Sequence, residues 1–304
     1  MALSVAHGIP EEFRREFTNN LEHEVQQLLS KFSSRIKVEG FEGKENIYNS
    51  LEPRSFKTRT GRLQQSAPTE AELHARKLVK VPFYDQAIFD KWDAEFLGKL
   101  ALPDSETIQA MKAAYARLID TEVCKAADAT VYGGEEPYVT AIDLPADQKV
   151  NVQLGAASAV NIGLTPDKLV KAMQIFEEND IYPEEEELIL AINPKAKQDL
   201  ISYVKAAGND VWANMIARWL EGRDAKLFGF TPIVTNRIVN TTGNIDQCFA
   251  YSAKRGIYMA PEKLEIHMDV LPTQQHALQI SAYATLGFMR RFEKGVVMIP
   301  CDRD

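Results

Sequence analysis

The strongest helical signal in the chain begins after Pro103, where Asp104 and Ser105 offer capping side chains. Seven residues then recur on one side at helical spacing, namely Ile108, Met111, Tyr115, Leu118, Ile119, Glu122 and Ala126. At 1.5 Å of rise per residue, a helix over residues 105–129 is roughly 35 Å long. Gly133 and Gly134 are expected to end it. The sequence therefore predicts one long structural helix.

A basic segment with little apolar content lies upstream of this helix. Its basic residues are Arg54, Lys57, Arg59, Arg62, Arg76, Lys77 and Lys80, and its acids are Glu70 and Glu72. The segment carries a net charge of +5 and leaves −13 on the rest of a chain whose total is −8. Residues 55–60 alternate as a strand does, Gly61 marks a turn, and Pro68 interrupts the stretch after that turn. This pattern predicts a long extended hairpin, either a solvated loop or an arm that contacts a neighbouring subunit.

Apolar spacing predicts further elements on both sides of the basic segment. Residues 11–32 repeat apolar side chains every three or four positions, which is typical of an amphipathic helix. Residues 77–84 have the pattern of a strand that Pro82 confines to an edge or an end. Helical spacing then continues through Ile88, Trp92, Phe96 and Leu100.

The second half of the chain mixes helices and strands. Thr165-Pro166 caps a helix that runs to about Asn179, and Asn193-Pro194 caps another after a strand over residues 188–192. Helical spacing continues to Leu220. After Gly222 the apolar runs are strand-like, over residues 226–238, 248–251, 255–260, 264–270, 277–288 and 296–299, with a turn at 293–295. Helices and strands coexist without regular βαβ alternation, so the predicted class is α+β.

Charge and cysteine content narrow the functional classes. The net charge of −8 disfavours a dedicated nucleic-acid binder, because phosphate contacts need a basic surface. Cys124, Cys248 and Cys301 are widely spaced and odd in number, which suggests neither a disulfide framework nor a zinc site. No apolar run approaches the ~20 residues of a membrane-spanning helix.

No arrangement of residues predicts catalysis, a cofactor or a metal. The chain lacks the phosphate-loop, dinucleotide-binding, zinc-protease, nucleophile-elbow and EF-hand motifs. Glu184 to Glu187 are interpreted as a solvated acidic face, since four adjacent acids point in different directions. Cys124 has no nearby histidine to activate it and is interpreted as a packing residue. We therefore predict no enzyme activity and no cofactor.

Three ordered stretches resemble parts of tailed-bacteriophage major capsid proteins. Residues 103–134, with Pro103-Asp104-Ser105, the alanine-rich run from Ile108 to Asp120 and Tyr132-Gly133-Gly134, resemble the spine-helix region of that family. Residues 227–237, LFGFTPIVTNR, look like one of its strands. Residues 284–299, ATLGFMRRFEKGVVMI, resemble its closing hairpin. The resemblance extends from about Lys31 to the C-terminus.

The resemblance implies the Hong Kong 97 capsid fold and a division of the chain into five parts. Residues 1–37 would form an N-terminal arm, and 38–83 an extended hairpin called the E-loop. Residues 84–164 would form a peripheral domain with the spine helix at 105–129, residues 165–271 an axial domain, and 272–304 strands that return to the peripheral domain. The function implied is a major capsid protein that assembles through hexamers and pentamers into an icosahedral head shell around double-stranded DNA.

The same resemblance implies partners and a location. Beyond copies of itself, the chain would meet a separate scaffolding protein, a portal and a decoration protein, and it would contact packaged DNA only non-specifically. It would be assembled in the host cytoplasm and reside in the virion. We expect the E-loop residues Arg54, Lys57, Arg59 and Arg62 to make intersubunit contacts, because a +5 hairpin can pair with an acidic neighbour.

Two alternatives remain open from sequence. An encapsulin-like nanocompartment shell would share the fold and enclose an enzyme cargo. An oligomeric cytosolic α+β enzyme with scattered catalytic residues belongs to a different class.

Overall fold

The computed structural model describes residues 26–56, 58, 61, 73–89, 104–156, 160–207, 210–222, 226–241, 243–261 and 264–303. Its helices are α1 (Asp104–Asp128), α2 (Pro166–Glu178), α3 (Pro194–Ala207) and α4 (Asp210–Leu220), with short 3-10 turns at Ser33–Arg35, Ala146–Gln148 and Glu293–Gly295. Its strands are β1 (Lys37–Val38), β2 (Glu45–Leu51), β3 (Leu73–Val79), β4 (Val81–Phe89), β5 (Val131–Gly133), β6 (Thr140–Ile142), β7 (Leu188–Ile192), β8 (Phe230–Val234), β9 (Asn240–Thr241), β10 (Ile245–Ser252), β11 (Ile257–Pro261), β12 (Glu265–Leu271), β13 (Ala277–Arg290) and β14 (Val296–Asp302).

These elements fall into two compact units. The smaller unit takes described residues from 26–30, 82–119 and 264–285, and the larger takes them from 31–81, 120–261 and 286–303. The predicted helix at 105–129 is confirmed as α1, and the mixed α+β class is confirmed by the element order.

The main sheet of the larger unit has the strand order β14-β10-β7-β8, with β9 on the end of β10. Strand β10 pairs antiparallel with β14 and β7, whereas β8 runs parallel to β7. All five residues of β7, Leu-Ile-Leu-Ala-Ile, are buried. A continuous apolar run of this kind is typical of a strand covered on both faces. One face packs on α2, α3 and α4 through Leu169, Phe176, Leu200 and Ile216.

Side-chain caps fix the beginnings of two helices in this unit. The Thr165 hydroxyl accepts a hydrogen bond from the Lys168 backbone N–H at 3.4 Å, and Pro166 occupies the first turn of α2. Asn193 Oδ1 accepts from the Ala196 N–H at 2.6 Å at the start of α3. Both helix starts were predicted from these same residues, because a side-chain acceptor satisfies an otherwise unpaired N–H.

A second sheet of the larger unit has the order β2-β3-β5-β6, and its first two strands form the hairpin. Seven antiparallel residue pairs join β2 to β3, from Glu45–Val79 to Leu51–Leu73. The strand predicted at residues 55–60 is therefore wrong at the positions of this stretch that the structure describes. Ser55 and Phe56 are outside any strand, Lys57, Arg59 and Thr60 lie outside the described residues, and β2 ends at Leu51.

Gly133 does not end α1, contrary to the sequence prediction. The helix ends at Asp128, and Gly133 lies in β5 instead. A Cβ atom on Gly133 would lie 2.1 Å from the Ala75 carbonyl oxygen, so glycine is needed where β3 and β5 approach each other. Gly134 adds a backbone hydrogen bond to that same carbonyl, at 3.1 Å.

The long strand β13 has partners in both units. Within the larger unit, its C-terminal residues pair antiparallel with β11, and β1 runs parallel to β11 on the other side. Within the smaller unit, its N-terminal residues pair antiparallel with β12, from Leu271–Ala277 to Glu265–Tyr283. Met111 of α1 packs there on Ile280 and Ala282.

Strand β4 replaces part of a predicted helix. Ile88 lies in β4, whereas the predicted helix placed it with Trp92, Phe96 and Leu100. Those three residues lie outside the described residues. Pro82 is in β4, whose pairing is with β13, in agreement with the edge position predicted for it.

Candidate assembly surface

The hairpin of β2 and β3 carries the predicted intersubunit residues. Arg54 lies just beyond the end of β2 and is exposed. Lys57, Arg59 and Arg62 lie outside the described residues. Of the four predicted residues, the structure therefore describes only Arg54. That the four lie together at an intersubunit contact stays a prediction.

Large apolar side chains are exposed at the far end of the hairpin. Leu51 and Leu73 form the last cross-strand pair, and their exposures are 55% and 67%. Phe56 is fully exposed. Sequence reasoning concentrated on the cations of this segment and gave these three residues no role. Exposed apolar side chains in a segment with charged residues are typical of a surface that another molecule covers.

An ion pair anchors the middle of the hairpin, where Arg76 lies opposite Tyr48. Arg76 Nη2 of β3 donates to Glu293 Oε2 at 2.6 Å, while Nη1 lies 2.5 Å from Oε1. The Arg76 and Glu293 side chains are only 9% and 18% exposed. The Nη2–Oε2 contact is a charge-assisted hydrogen bond, the stronger kind, whereas Nη1 and Oε1 are in ion-pair contact without a hydrogen bond.

Arg291, immediately after β13, adds a second anchor. Its Nη1 and Nη2 donate to the carbonyl oxygens of Tyr48 and Asn49 in β2, at 2.8 and 2.7 Å. Its guanidinium also lies over the rings of Tyr48 and Phe292, at 5.6 and 4.9 Å from their centroids. Burial lowers the pKa of Arg291, but an arginine still keeps its charge at neutral pH.

The preceding residue, Arg290, ties the end of α1 to the same place. It is fully buried, and its Nη1 donates to the Ala127 and Ala129 carbonyls at 3.2 and 2.8 Å. Nη2 donates to the Ile142 carbonyl of β6 at 3.1 Å. Cations favour helix C-termini, where backbone carbonyls lack partners. Burial lowers the pKa of Arg290, and Glu293 opposes this shift.

Sequence reasoning missed this arginine pair. Arg290 and Arg291 were noticed only as part of the closing-hairpin resemblance. The sequence signal that could have revealed the pair is two consecutive arginines at the end of an apolar strand. Their acceptors are backbone carbonyls more than a hundred residues away, and no side-chain pattern marks such acceptors.

A cavity of about 680 Å³ lies beside these anchors, between the far half of the hairpin and the turn after β13. Its lining includes Leu51, His74, Arg76, Ile181, Arg255 and Phe292. Within this lining Arg76 pairs with Glu293, and His74 Nε2 lies 3.4 Å from Glu52 Oε1.

The N-terminal part of the described chain is also anchored. The backbone N–H groups of Lys31 and Phe32 point at the buried Asp120 carboxylate of α1, with the closest distance 3.1 Å. The Phe32 side chain is fully buried and stacks near Phe249, with ring centroids 6.3 Å apart. Residues 1–25 of the predicted arm lie outside the described residues.

The predicted solvated face at Glu184 to Glu187 is wrong at one position. Glu186 is buried, accepts a hydrogen bond from the Ser252 hydroxyl and pairs with Arg255 Nε at 2.7 Å. The other three glutamates are exposed. The chain turns between Tyr182 and Glu186, so adjacent side chains point in different directions and one of them faces inward.

In the described part of the chain, the side chains that could bind a metal ion are dispersed. No group of three or more His, Cys, Asp or Glu side chains is placed there to hold a metal ion. Cys124 is buried, as predicted for a packing residue, and burial raises the pKa of its thiol far above the ordinary value. None of the described helices is both long enough and apolar enough to cross a membrane.

Comparisons with known proteins agree on one class. The model of the family described as "Phage capsid protein" matches residues 9–303. The capsid structure of cyanophage P-SCSP1u matches at a TM-score of 0.68 and 14% identity, covering 100% of this chain and 97% of that one. The capsid of Ralstonia phage GP4 matches at 0.68 and 10%, covering 100% and 99%. The cyanophage Pam1 capsid matches at 0.68 and 13%, covering 99% of both chains. No curated protein matches the sequence.

The fold is therefore the Hong Kong 97-like fold of tailed-phage capsids, as the sequence resemblance implied. The chain belongs to the phage capsid protein family. It is a major capsid protein, a structural component of the virion shell that associates with copies of itself, and not an enzyme. The family match favours a phage shell over the nanocompartment and the cytosolic enzyme.

Proposed function

We propose that the chain assembles through hexamers and pentamers into an icosahedral head shell that encloses a double-stranded DNA genome. Neighbouring subunits exchange contacts through the E-loop hairpin and the N-terminal arm, so that each buries surface its own core leaves uncovered. The observation that carries this proposal is the contrast along the hairpin. Its middle is held by Arg76 and Arg291, whereas Leu51 and Leu73 at its last pair, and Phe56 beyond them in sequence, are exposed.

We also propose the division into five parts. Residues 1–37 act as the arm, 38–83 as the E-loop region, 84–164 as the peripheral domain with its spine helix, 165–271 as the axial domain, and 272–304 as the returning strands. The 25-residue length of α1 supports its role as the spine. The 14-residue strand β13, which has partners in both compact units, supports a C-terminal segment that returns to an earlier domain.

Electrostatics supports the hairpin as an intersubunit element. The segment 54–80 carries +5 on a chain whose remainder carries −13. Arg54, Lys57, Arg59 and Arg62 steer the hairpin toward acidic surface on a neighbour. One exposed ion pair contributes only about 0–1 kcal/mol, so the stability of the contact comes from its repetition around the shell.

The remaining partners are those that this role requires. A separate scaffolding protein directs assembly, a portal occupies one vertex, and a decoration protein can bind the outer surface. Assembly takes place in the host cytoplasm, and packaged DNA is contacted only non-specifically. The net charge of −8 disfavours a dedicated nucleic-acid binder.

Charge reversal tests the hairpin role. Arg59→Glu with Arg62→Glu is expected to leave the subunit folded and to prevent closed shells in electron micrographs. Lys205→Glu with Lys226→Glu, at exposed positions outside the hairpin, makes the same change in net charge and serves as the control. Normal particles from the hairpin variant would overturn the proposed role of these arginines.

A further inference from the structure

Two buried arginines share one carboxylate at the turn after β13. Glu293 bonds Arg76 of the hairpin, and its Oε1 also lies 4.0 Å from Nε of Arg290. The side chains of Arg76 and Arg290 are 9% and 0% exposed, against 18% for Glu293. Burial lowers the pKa of Arg290; Glu293 opposes this shift, and the Arg76 cation adds to it. The two cations therefore repel each other across a carboxylate that only one of them bonds.

Arg290 has one donor that is not in use, and it is the donor that lies near Glu293. Its Nη1 and Nη2 donate to the carbonyls of Ala127, Ala129 and Ile142, and these bonds hold the guanidinium in place. Its Nε is buried and has no hydrogen-bond partner among the residues that the structure describes. A buried N–H without an acceptor costs free energy, so a bond to Glu293 at this position is favourable.

A small shift of the Glu293 side chain is enough to form that bond. Oε1 would move by roughly 1 Å to go from its present distance to the ~2.9 Å of an N–H···O hydrogen bond. Oε1 accepts no hydrogen bond from any described residue, because Arg76 bonds the other oxygen, Oε2. The carboxylate therefore has two alternative positions, one on Arg76 and one on Arg290.

Arg76 lies beside open space, whereas Arg290 does not. Arg76 and Glu293 both line the cavity of about 680 Å³ next to the hairpin, and Arg290 is absent from its lining. When the hairpin moves away from the turn, Arg76 leaves with it and its guanidinium can be hydrated. Glu293 is then left with its charge largely buried, which is costly unless another cation pairs with it. Arg290 is already in position as that second cation.

We propose that Glu293 exchanges Arg76 for Arg290 when the hairpin moves, so that the ion pair is a latch that can be released. The exchange breaks the hydrogen bond between Arg76 and Glu293 and forms one from Arg290 Nε to Glu293 Oε1, with no proton transferred. Arg290 is thus a positioning residue that keeps Glu293 paired in both states. The proposal rests on the proposed function, in which hexamers and pentamers place the same hairpin in different surroundings.

Removal of the hairpin cation is the first test. In a crystal structure of the unassembled Arg76→Met subunit, we expect Glu293 Oε1 to lie about 3 Å from Arg290 Nε. Lys77→Met, at the neighbouring residue of β3, is the control and should leave the carboxylate on Arg76. A carboxylate that stays 4.0 Å from Arg290, or turns into the cavity, in the Arg76→Met structure would overturn the proposal. If Arg76→Met does not fold, Arg76→Gln takes its place with the same two outcomes.

Thermal melting of the unassembled subunit is the second test. Arg76→Met should lower the melting temperature by roughly half as much as Glu293→Gln, or less, because Glu293 keeps a cation in the first variant. Glu293→Gln instead leaves two buried guanidinium groups without the carboxylate that lies between them. Equal losses, or a larger loss for Arg76→Met, would contradict the exchange.

Cryo-electron microscopy of shells formed by the native chain is the third test. In at least one copy of the subunit, we expect Glu293 within hydrogen-bond distance of Arg290 Nε and separated from Arg76. If closed shells form and every copy keeps Glu293 on Arg76, the exchange is wrong and the proposed assembly role stands. If the native chain forms neither shells nor rings, the proposed function is wrong, and the Arg76→Met structure still decides whether Glu293 exchanges its partner.

Discussion

Arg76 of β3 and Glu293, 217 residues later in the turn after β13, form a two-point ion pair with distances of 2.5 and 2.6 Å. Both side chains are largely removed from solvent. The pair ties the middle of the hairpin to the turn after β13, and the exposed pair Leu51–Leu73 lies three residue pairs further along the strands.

Glu293→Ala should destabilise the larger unit by about 3–5 kcal/mol, because it leaves the buried Arg76 guanidinium without its partner. Chemical denaturation of the unassembled subunit measures the change. Lys77→Ala is the matched control, since Lys77 pairs with the half-exposed Glu45 and should contribute only about 0–1 kcal/mol. Equal effects from the two variants would contradict the anchoring role of Glu293.

Arg291→Lys should loosen the hairpin although it keeps the charge. Lysine cannot donate to the Tyr48 and Asn49 carbonyls as a fork or stack on Tyr48, and we expect a loss of about 1–2 kcal/mol. Hydrogen exchange should become faster in β2 and β3. Arg303→Lys, at a mostly exposed site 3.9 Å from Asp246, is the control. Unchanged exchange in the hairpin of the Arg291 variant would show that other contacts hold it.

Gly133→Ala should be strongly destabilising, because its Cβ would lie 2.1 Å from the Ala75 carbonyl oxygen. Backbone must move to relieve this clash, at a cost of about 1–3 kcal/mol or more. Gly40→Ala is the control, since nothing lies within 4 Å of a Cβ there. Thermal unfolding that is the same for both variants would contradict the close approach of β3 and β5.

Asp199 of α3 should lower the free energy of unfolding as pH rises, which is the opposite of what most aspartates do. Burial raises its pKa above the ordinary 3.8, and Lys195 opposes the shift. The folded state therefore binds this proton more tightly than the unfolded chain does. Its contribution to stability falls as pH rises from about 3.8 through the raised pKa.

Asp199→Asn should consequently melt at a higher temperature than the native chain at about pH 7, and the gain should vanish at about pH 3, where the native carboxyl is protonated in both states. Asp167→Asn, on an acid of the neighbouring α2, is the comparison variant. A lower melting temperature for Asp199→Asn at neutral pH would show that its contact with Lys195 outweighs the cost of burial.

The elements that the sequence predicted well are those with local signals. Each of these signals depends on residues a few positions apart in sequence. They are the capped starts at Thr165 and Asn193, the apolar run at residues 188–192 and the spacing along α1. Strand β2 was missed, although Ile47 and Tyr48 are good strand formers in an alternating stretch. Its charged and amide neighbours obscured that signal.

The features that failed depend on distant partners. Gly133 was interpreted as a helix terminator because the approach of Ala75 is not visible in sequence. Glu186 was assigned to solvent because Ser252 and Arg255 come more than sixty residues later. The assembly surface was predicted from its cations, whereas the described hairpin also exposes Leu51, Phe56 and Leu73. A charge pattern can be read from the sequence alone, whereas apolar surface that the fold leaves exposed cannot.

Self-association is best tested on the purified native chain, by size-exclusion chromatography with light scattering and then electron microscopy of the same fractions. We expect megadalton closed shells, or hexamers and pentamers when no scaffolding protein is supplied. A stable dimer or tetramer at every concentration, with no shells and no rings, would contradict the proposal that this chain acts by assembling with copies of itself.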